Sequence, residues 1–251
     1  MFSYTDYKEI LRIIKEVGTY STYKKALTSD KFILMRHDVE YSVERAYELS
    51  KVEESMDFRS YYFFQWTNNS YNVLSKKNRD LIAQMHERGQ HIGLHFALNG
   101  MTDINLIRER ILKEAEMLSN MLGFEIKEFS FHRPSPDALS ANLKFSSLLN
   151  AYQDDFFTYD SDASPSSELR VKYLSDANHV WRYGYPDEET LWKYPRIQIL
   201  AHPFAWSKEG GDNLTNYIGL VREKYSELLD SIDHECKDFG SLREHFEKGP
   251  I

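Results

Sequence analysis

The residues best placed to do chemistry follow an apolar run near the start of the chain. The segment Phe32–Tyr41 reads FILMRHDVEY, and its apolar half predicts a buried strand that ends at an exposed rim. Side chains alternate along a strand, so Asp38 and Glu40 share one face and His37 takes the other. Two neighbouring carboxylates are costly unless a cation, usually a metal, compensates them. The alternative is a surface ion-pair cluster in which Arg36, on the same face, is the partner.

Polar residues also end three later segments that read as strands. His95 closes one of them, His132 and Arg133 close the next, and His202 ends the segment IQILAH. Parallel α/β proteins place their sites at the carboxyl ends of strands, so we expect these side chains to gather at one rim. Imidazole and carboxylate ligands together suit zinc or another divalent first-row metal.

The pair His91 and His95 has the spacing HxxxH, which on a helix would place both rings on one face. The surrounding sequence GQHIGLHF is strand-like, however, and four residues along a strand span about 13 Å. Both rings cannot then bind the same ion. We expect His95, nearer the rim, to be the ligand and His91 to be a hydrogen-bonded core or supporting histidine.

Strand-like and helix-like segments alternate along most of the chain. The predicted strands are Ile33–Val39, Arg59–Gln65, His91–Phe96, Lys127–His132 and Ile197–His202, separated by amphipathic helices. This rhythm predicts parallel strands covered by helices, in an open sheet or a barrel. We find no repeat and no linker, which favours a single domain over 1–251. The stretch 134–172, rich in Ser, Asp and Pro, breaks the rhythm and is expected to be a cleft-lining insertion.

Composition excludes several classes of function. The chain has 251 residues with 41% hydrophobic and 28% charged residues, which is enough for a large core. Its formal net charge of -8 argues against nucleic acid as a partner. The single cysteine, Cys236, excludes an intrachain disulfide framework and fits a reducing compartment. The N-terminus lacks the pattern of a secretory signal and no apolar run could span a membrane, so we expect a cytoplasmic protein.

The order of five segments is more specific than any of them alone. RHDVE, GQHIGLHF, FSFHRPSP, KYLSDANHVWRYG and ILAHPFAW follow one another between about Lys31 and Trp206. This series resembles the NodB-homology polysaccharide deacetylase superfamily (carbohydrate esterase family 4). More narrowly, it is similar to a divergent branch with RHDVD-type first motifs, which includes the WbmS-like proteins of surface-polysaccharide gene clusters. The resemblance implies a distorted (β/α) barrel of about seven parallel strands and hydrolysis of acyl groups on sugars.

The resemblance also implies roles for individual residues at the metal. Asp38 matches the catalytic base and Glu40 the metal carboxylate of the first motif. His95 matches the first histidine of the family's HxxxH metal pair, but the second position is Asn99, a poor zinc ligand. His132, at the end of the next strand, could supply the missing imidazole. The expected ligand set is therefore Glu40, His95 and His132.

Further roles follow from the later motifs of the same resemblance. Arg133 matches an arginine that pairs with the base and orients it, and His202 matches a late histidine that acts as general acid. Asp176 resembles the acidic residue that holds this histidine. Trp181 and Arg182 are expected to contact substrate, Trp181 as an apolar wall.

Three functions are compatible with the sequence. The first is a metal-dependent hydrolase that removes an acyl group, in particular N-acetyl, from a sugar or glycan precursor. The second is a deformylase or an amidase on the same scaffold, and the third is a metal-free glycan-binding relative. Neither the acyl group, the sugar nor the oligomeric state follows from the sequence.

Overall fold

A seven-stranded sheet, in which every strand pairs in parallel with its neighbours, organises the chain. The computed structural model describes residues 1–158 and 170–247. The strands are β1 (Phe32–Val39), β2 (Tyr61–Phe64), β3 (His91–Ala97), β4 (Glu128–His132), β5 (Leu149–Asn150), β6 (Lys172–Ser175) and β7 (Arg196–Ala201). Their spatial order is β5-β4-β3-β2-β1-β7-β6, and the sheet curls into a half-barrel. The fold is thus the distorted α/β barrel that the sequence predicted.

Helices connect the strands and cover the outer face of the sheet. They are α1 (Tyr4–Val17), α2 (Tyr23–Ala26), α3 (Val43–Ser55), α4 (Lys76–Glu87), α5 (Ile104–Leu122), α6 (Pro136–Ser140), α7 (Glu188–Lys193) and α8 (Asn213–Glu235). Several begin at a polar residue whose side chain accepts from the first turn, as Ser3 does for α1 and Ser42 does for α3. The described helices include none that is long and apolar enough to cross a bilayer.

The central strand β1 is buried along its whole length, because β2 and β7 flank it and side chains pack on both of its faces. Large apolar side chains from its neighbours fill the core, among them Phe63, Phe64 and Ile199. A fully covered parallel strand explains the continuous apolar run of the sequence. The polar residues at its end are therefore held on a rigid element.

The five strands predicted from the sequence agree with the structure to within a few residues. The structure adds the two edge strands, β5 and β6, which carry no period-2 pattern long enough to be recognised. Both belong to or border the insertion predicted over 134–172, of which residues 159–169 lie outside the described residues.

Candidate active site

The predicted polar residues converge at the carboxyl ends of the parallel strands. Asp38 lies near the end of β1 and Glu40 follows it, while His95 lies on β3 and His132 ends β4. His202 comes directly after β7. Parallel strands deliver their last residues to one rim, so residues distant in sequence meet there.

Three of these residues form a group with the dimensions of a metal site. One ligand atom from each of Glu40, His95 and His132 lies within 4.8 Å of the other two. His132 Nδ1 lies 3.3 Å from His95 Nε2 and 3.4 Å from Glu40 Oε1. Tetrahedral coordination with bonds of about 2.0–2.1 Å separates neighbouring ligands by about 3.3 Å. The donor set therefore fits a tetrahedral divalent ion with one position left for water or substrate.

A serine on β4 fixes which nitrogen of His95 is free. Ser130 Oγ donates to Asp38 Oδ1 over 3.0 Å and lies 2.7 Å from His95 Nδ1. A hydroxyl has one proton, so Ser130 must accept from the Nδ1–H of His95. The Nε2 lone pair of His95 is then free to face an ion that this group could hold. Burial lowers the pKa of His95 to about 4, which keeps the ring neutral as a ligand must be.

The base candidate Asp38 is held by a guanidinium on one side and a hydroxyl on the other. Its Oδ2 lies 3.5 Å from Arg36 Nη2, and its Oδ1 accepts from Ser130. Burial by itself would raise the pKa of Asp38, but Arg36 foremost, with the neighbouring histidines and Ser130, lowers it overall. The fully buried guanidinium of Arg36 has no hydrogen-bond partner among the described residues and lies over the ring of Tyr152, 4.3 Å from its centroid. Arg36 thus keeps Asp38 ionised.

The acid candidate His202 is held by a buried carboxylate. Asp176 Oδ1 accepts from His202 Nδ1 over 2.6 Å, and the same carboxylate accepts the backbone N–H of His202 and the indole N–H of Trp206. Burial opposes the charged imidazole, but Asp176 outweighs it, and Glu40 and Asp38 add to the effect. The pKa of His202 is raised to about 9, so the ring is protonated at neutral pH.

A cleft of about 690 Å³ opens over these groups, a volume suited to a small substrate. Asp38, Glu40, His95 and His202 form part of its lining. Aromatic rings supply much of the wall, including Tyr41, Phe131, Tyr152, Phe157, Tyr173, Tyr183, Phe204 and Tyr217. Flat apolar faces with polar edges suit the stacking of sugar rings.

Of the remaining predicted site residues, two line the cleft and one does not. Arg133 and Arg182 line the cleft, whereas Trp181 is not among its described lining and packs beside Trp206, with ring centroids 6.5 Å apart. Arg133 was expected to pair with the base, but the arginine that lies beside Asp38 is Arg36, from β1 itself. Arg133 has a φ of 48°, a left-handed conformation uncommon for its residue type.

His91 and Asn99, the other two candidates near the HxxxH motif, lie outside the group of Glu40, His95 and His132. His91 stacks on Tyr61 with ring centroids 4.4 Å apart, at the opposite end of β3 from the rim. Asn99 is exposed after the end of β3 and has a φ of 48°. Instead, His132 pairs with Ala97 across β3 and β4. Ala97 shares a face of β3 with His95, so this pairing brings His132 beside His95.

Sequence reasoning gave no catalytic role to Arg36 and did not consider Ser130. Alternation already placed Arg36 on the face of Asp38 as an ion-pair partner, and it could equally have placed Ser130 on the face of His132. A polar side chain on the inner face of a buried strand needs a partner there, and that is the signal.

No family model matches the chain, and no curated protein matches it. Solved structures do match. A carbohydrate esterase family 4 pseudoenzyme from Bacillus anthracis has 12% identity and a TM-score of 0.45, over 78% of this chain. This chain spans 61% of that protein's chain.

Two further matches are similar in extent. A family 4 carbohydrate esterase from Bacillus anthracis has 17% identity and a TM-score of 0.43, over 85% of both chains. A chitin deacetylase from the fungal pathogen Colletotrichum lindemuthianum has 14% identity and a TM-score of 0.43, over 76% of this chain and 81% of the other. The structures similar to this chain thus include a carbohydrate esterase, a chitin deacetylase and a pseudoenzyme.

Proposed function

We propose that this protein is a metal-dependent hydrolase that removes an acyl group, most suitably N-acetyl, from a sugar or glycan precursor. One observation supports the proposal above all. Three side chains, Glu40, His95 and His132, fit a tetrahedral ion, and both Asp38 and His202 line the same cleft. A carboxylate kept ionised and an imidazole kept protonated form the base and acid that amide hydrolysis requires.

Glu40, His95 and His132 would hold the ion, with zinc the best match to the donor set. A bound divalent ion supplies Lewis acidity, which polarises the acyl carbonyl and lowers the pKa of water toward about 7. The other steps belong to the protein's own side chains. Asp38 takes a proton from the attacking water, and Arg36 and Ser130 hold its carboxylate in place.

Hydrolysis of an amide also needs a proton for the leaving nitrogen. His202 donates its proton to that nitrogen as the carbon–nitrogen bond breaks, so that an amine and a carboxylic acid are released. Asp176 fixes the ring through Nδ1, which leaves Nε2 to carry the donated proton. The aromatic walls of the cleft would stack on the sugar ring.

The motif order that resembles RHDVD-type deacetylases extends the proposal to surface-polysaccharide biosynthesis. We propose a glycan precursor in the cytoplasm as the substrate.

The test combines metal content with acetate release. Protein purified without chelator and loaded with Zn²⁺ should bind one ion per chain and release acetate from an N-acetylated sugar. His132→Ala should lose both, because two of three ligands hold the ion poorly. His234→Ala, an exposed histidine on α8, is the matched control and should lose neither. Glycan binding without metal uptake or turnover would instead establish a binding protein.

A further inference from the structure

The charges of the cleft are distributed against the trend of the chain. The chain has an excess of acidic residues, 39 against 31 Lys and Arg. In the cleft, however, the described lining contains two carboxylates, Asp38 and Glu40, and both belong to the reaction centre. The other lining residues with permanent charge are the cations Arg133, Lys172 and Arg182. Among the described residues, the wall around the centre is therefore basic.

The two arginines of this wall also lack the carboxylate partners that several other arginines of the molecule have. Arg12, Arg45 and Arg243 each have a carboxylate within 4.0 Å. Within the described ranges, Arg133 and Arg182 have no such carboxylate, and both side chains are exposed to the cleft. A guanidinium presents up to five donors in a planar fork, which matches a carboxylate or a phosphate.

The topology places the two arginines on either side of the reaction centre. Arg133 follows β4 and Arg182 lies in the loop after β6, and β1 lies between these strands in the sheet. Arg133 directly follows the metal ligand His132 and holds a left-handed backbone at φ 48°. Strained backbone of this kind tends to persist where a site requires it.

We infer that the substrate is an anionic sugar, with a carboxylate or phosphate group that Arg133 and Arg182 bind. The inference rests on the proposed function, because it assigns the substrate class of the same cleft. Opposite charge across a cleft with low-dielectric walls raises both affinity and the rate of association. The charged wall would also discriminate against neutral sugars of the same size.

The test measures binding in the Asp38→Asn protein, so that no probe is consumed. Three probes share one ring: neutral N-acetylglucosamine, N-acetylglucosaminuronic acid for the carboxylate, and N-acetylglucosamine 1-phosphate for the phosphate. At least one acidic probe should bind about 10-fold or more tightly than the neutral one, and salt should reduce the difference. The acidic probe that binds better identifies which anion is recognised.

The variants decide whether the arginines cause the preference. Arg133→Gln with Arg182→Gln should abolish the ratio between acidic and neutral probes, and each single variant should reduce it if the double variant misfolds. Arg222→Gln is the matched control, because this exposed arginine on α8 also lacks a carboxylate within 4.0 Å in the described structure. Repeating the titration without Zn²⁺ should preserve the ratio.

Three results would overturn the inference: equal binding of neutral and acidic probes, a ratio that survives in the folded double variant, or a ratio that vanishes without metal. The last would assign the anion to the ion instead of the arginines. Because binding is measured without turnover, failure of the wild-type protein to release acetate would count against the proposed function alone.

Discussion

The two faces of β1 carry the same residue types, imidazole and carboxylate, in two different environments. On the face toward the cleft, Asp38 and Glu40 meet histidines from β3 and β4. On the opposite face, His37 meets Glu53 of α3, with His37 Nε2 2.9 Å from Glu53 Oε1. Both sites pair imidazole with carboxylate, but their surroundings differ completely.

The cluster around Glu53 is closed and fully satisfied. Tyr7 donates to Oε1 over 2.6 Å, while Ser60 and Tyr62 donate to Oε2 over 2.7 and 2.8 Å. His37 Nδ1 donates to the carbonyl of Ala201 over 3.0 Å. Every polar side-chain atom of this cluster has a partner among the described residues, so the cluster joins β1, β2, β7, α1 and α3 and has nothing left for a ligand.

The cluster in the cleft is open, because its ligand atoms face one another at 3.3–3.4 Å and the one other contact to them among the described residues is a long one, from Gln65 Nε2 to His132 Nδ1 at 3.5 Å. Glu40, His95 and His132 converge to within 4.8 Å, and two of them are only half-buried. The same residue types thus serve structure on one face of the strand and, in the proposed function, a reaction on the other. The two clusters differ less in residue type than in whether their polar atoms all have hydrogen-bond partners inside the protein.

The largest expected effect concerns the open face. Asp38→Asn keeps the size of the side chain but removes the base, so turnover should fall by up to about 10⁴-fold. Metal content should stay near that of the wild type, since the proposed ligand group is Glu40, His95 and His132. Acetate release and metal analysis on the same preparation check both statements.

Asp57→Asn is the matched control for this variant, because Asp57 is exposed and asparagine tolerates its φ of 48°. Its turnover should equal that of the wild type. Loss of the metal from Asp38→Asn would make Asp38 a ligand and exchange its role with that of Glu40.

A substitution on the closed face should lower the stability of the protein instead of its activity. Glu53→Gln replaces an acceptor oxygen with an amide group, which must face the donors of Tyr7 and His37 or those of Ser60 and Tyr62. Buried donors without acceptors cost about 1–3 kcal/mol each, so the free energy of unfolding should drop by about 2–4 kcal/mol. Urea unfolding followed by circular dichroism measures it.

The neighbouring residue on α3 provides the control for the closed face. Glu54 is partly exposed and pairs with Arg88 at 3.4 Å, so Glu54→Gln should change stability by less than about 1 kcal/mol. Metal affinity should be unchanged in both variants. A Glu53→Gln protein of normal stability that loses metal affinity would contradict the separation of the two faces.

The sequence predicted the open face better than the closed one, for a physical reason. Strand alternation places Asp38 opposite His37, and the carboxyl ends of parallel strands meet at one rim. Glu40, His95, His132 and His202 could therefore be grouped from the ends of the predicted strands, while their individual roles came from the family resemblance. The closed cluster depends on tertiary packing that brings Tyr7 and Glu53 from separate helices onto β1. Periodicity marks the buried face of a helix but does not name its partner.

The conformation of the cleft wall was equally beyond the sequence. The left-handed backbone of Arg133 is set by the turn after β4. A glycine or asparagine at this position would have indicated such a conformation in the sequence, but an arginine does not. The edge strands β5 and β6 are two and four residues long, too short for a pattern to be distinguished. The expectation that Arg133 pairs with the base came from motif order, whereas Arg36, beside Asp38 in the structure, was already on the correct face of the predicted strand.

The smallest expected effect is a shift of pH dependence at the rim. The pKa of His202 is raised to about 9 from an ordinary value near 6.5, and the negative charge of Asp176 is the main favourable cause. A raised pKa means that the stability from this pair is present in full below about pH 6.5 and is lost as the pH rises through about 9. Activity that requires the protonated ring should decline over the same alkaline range.

Asp176→Asn removes the charge and should move this decline down toward about pH 6.5, while Asp30→Asn, at an exposed aspartate, should leave it in place. The pH–rate profile and an NMR titration of the His202 ring measure the shift, and an unchanged alkaline limb in Asp176→Asn would remove His202 from the role of acid.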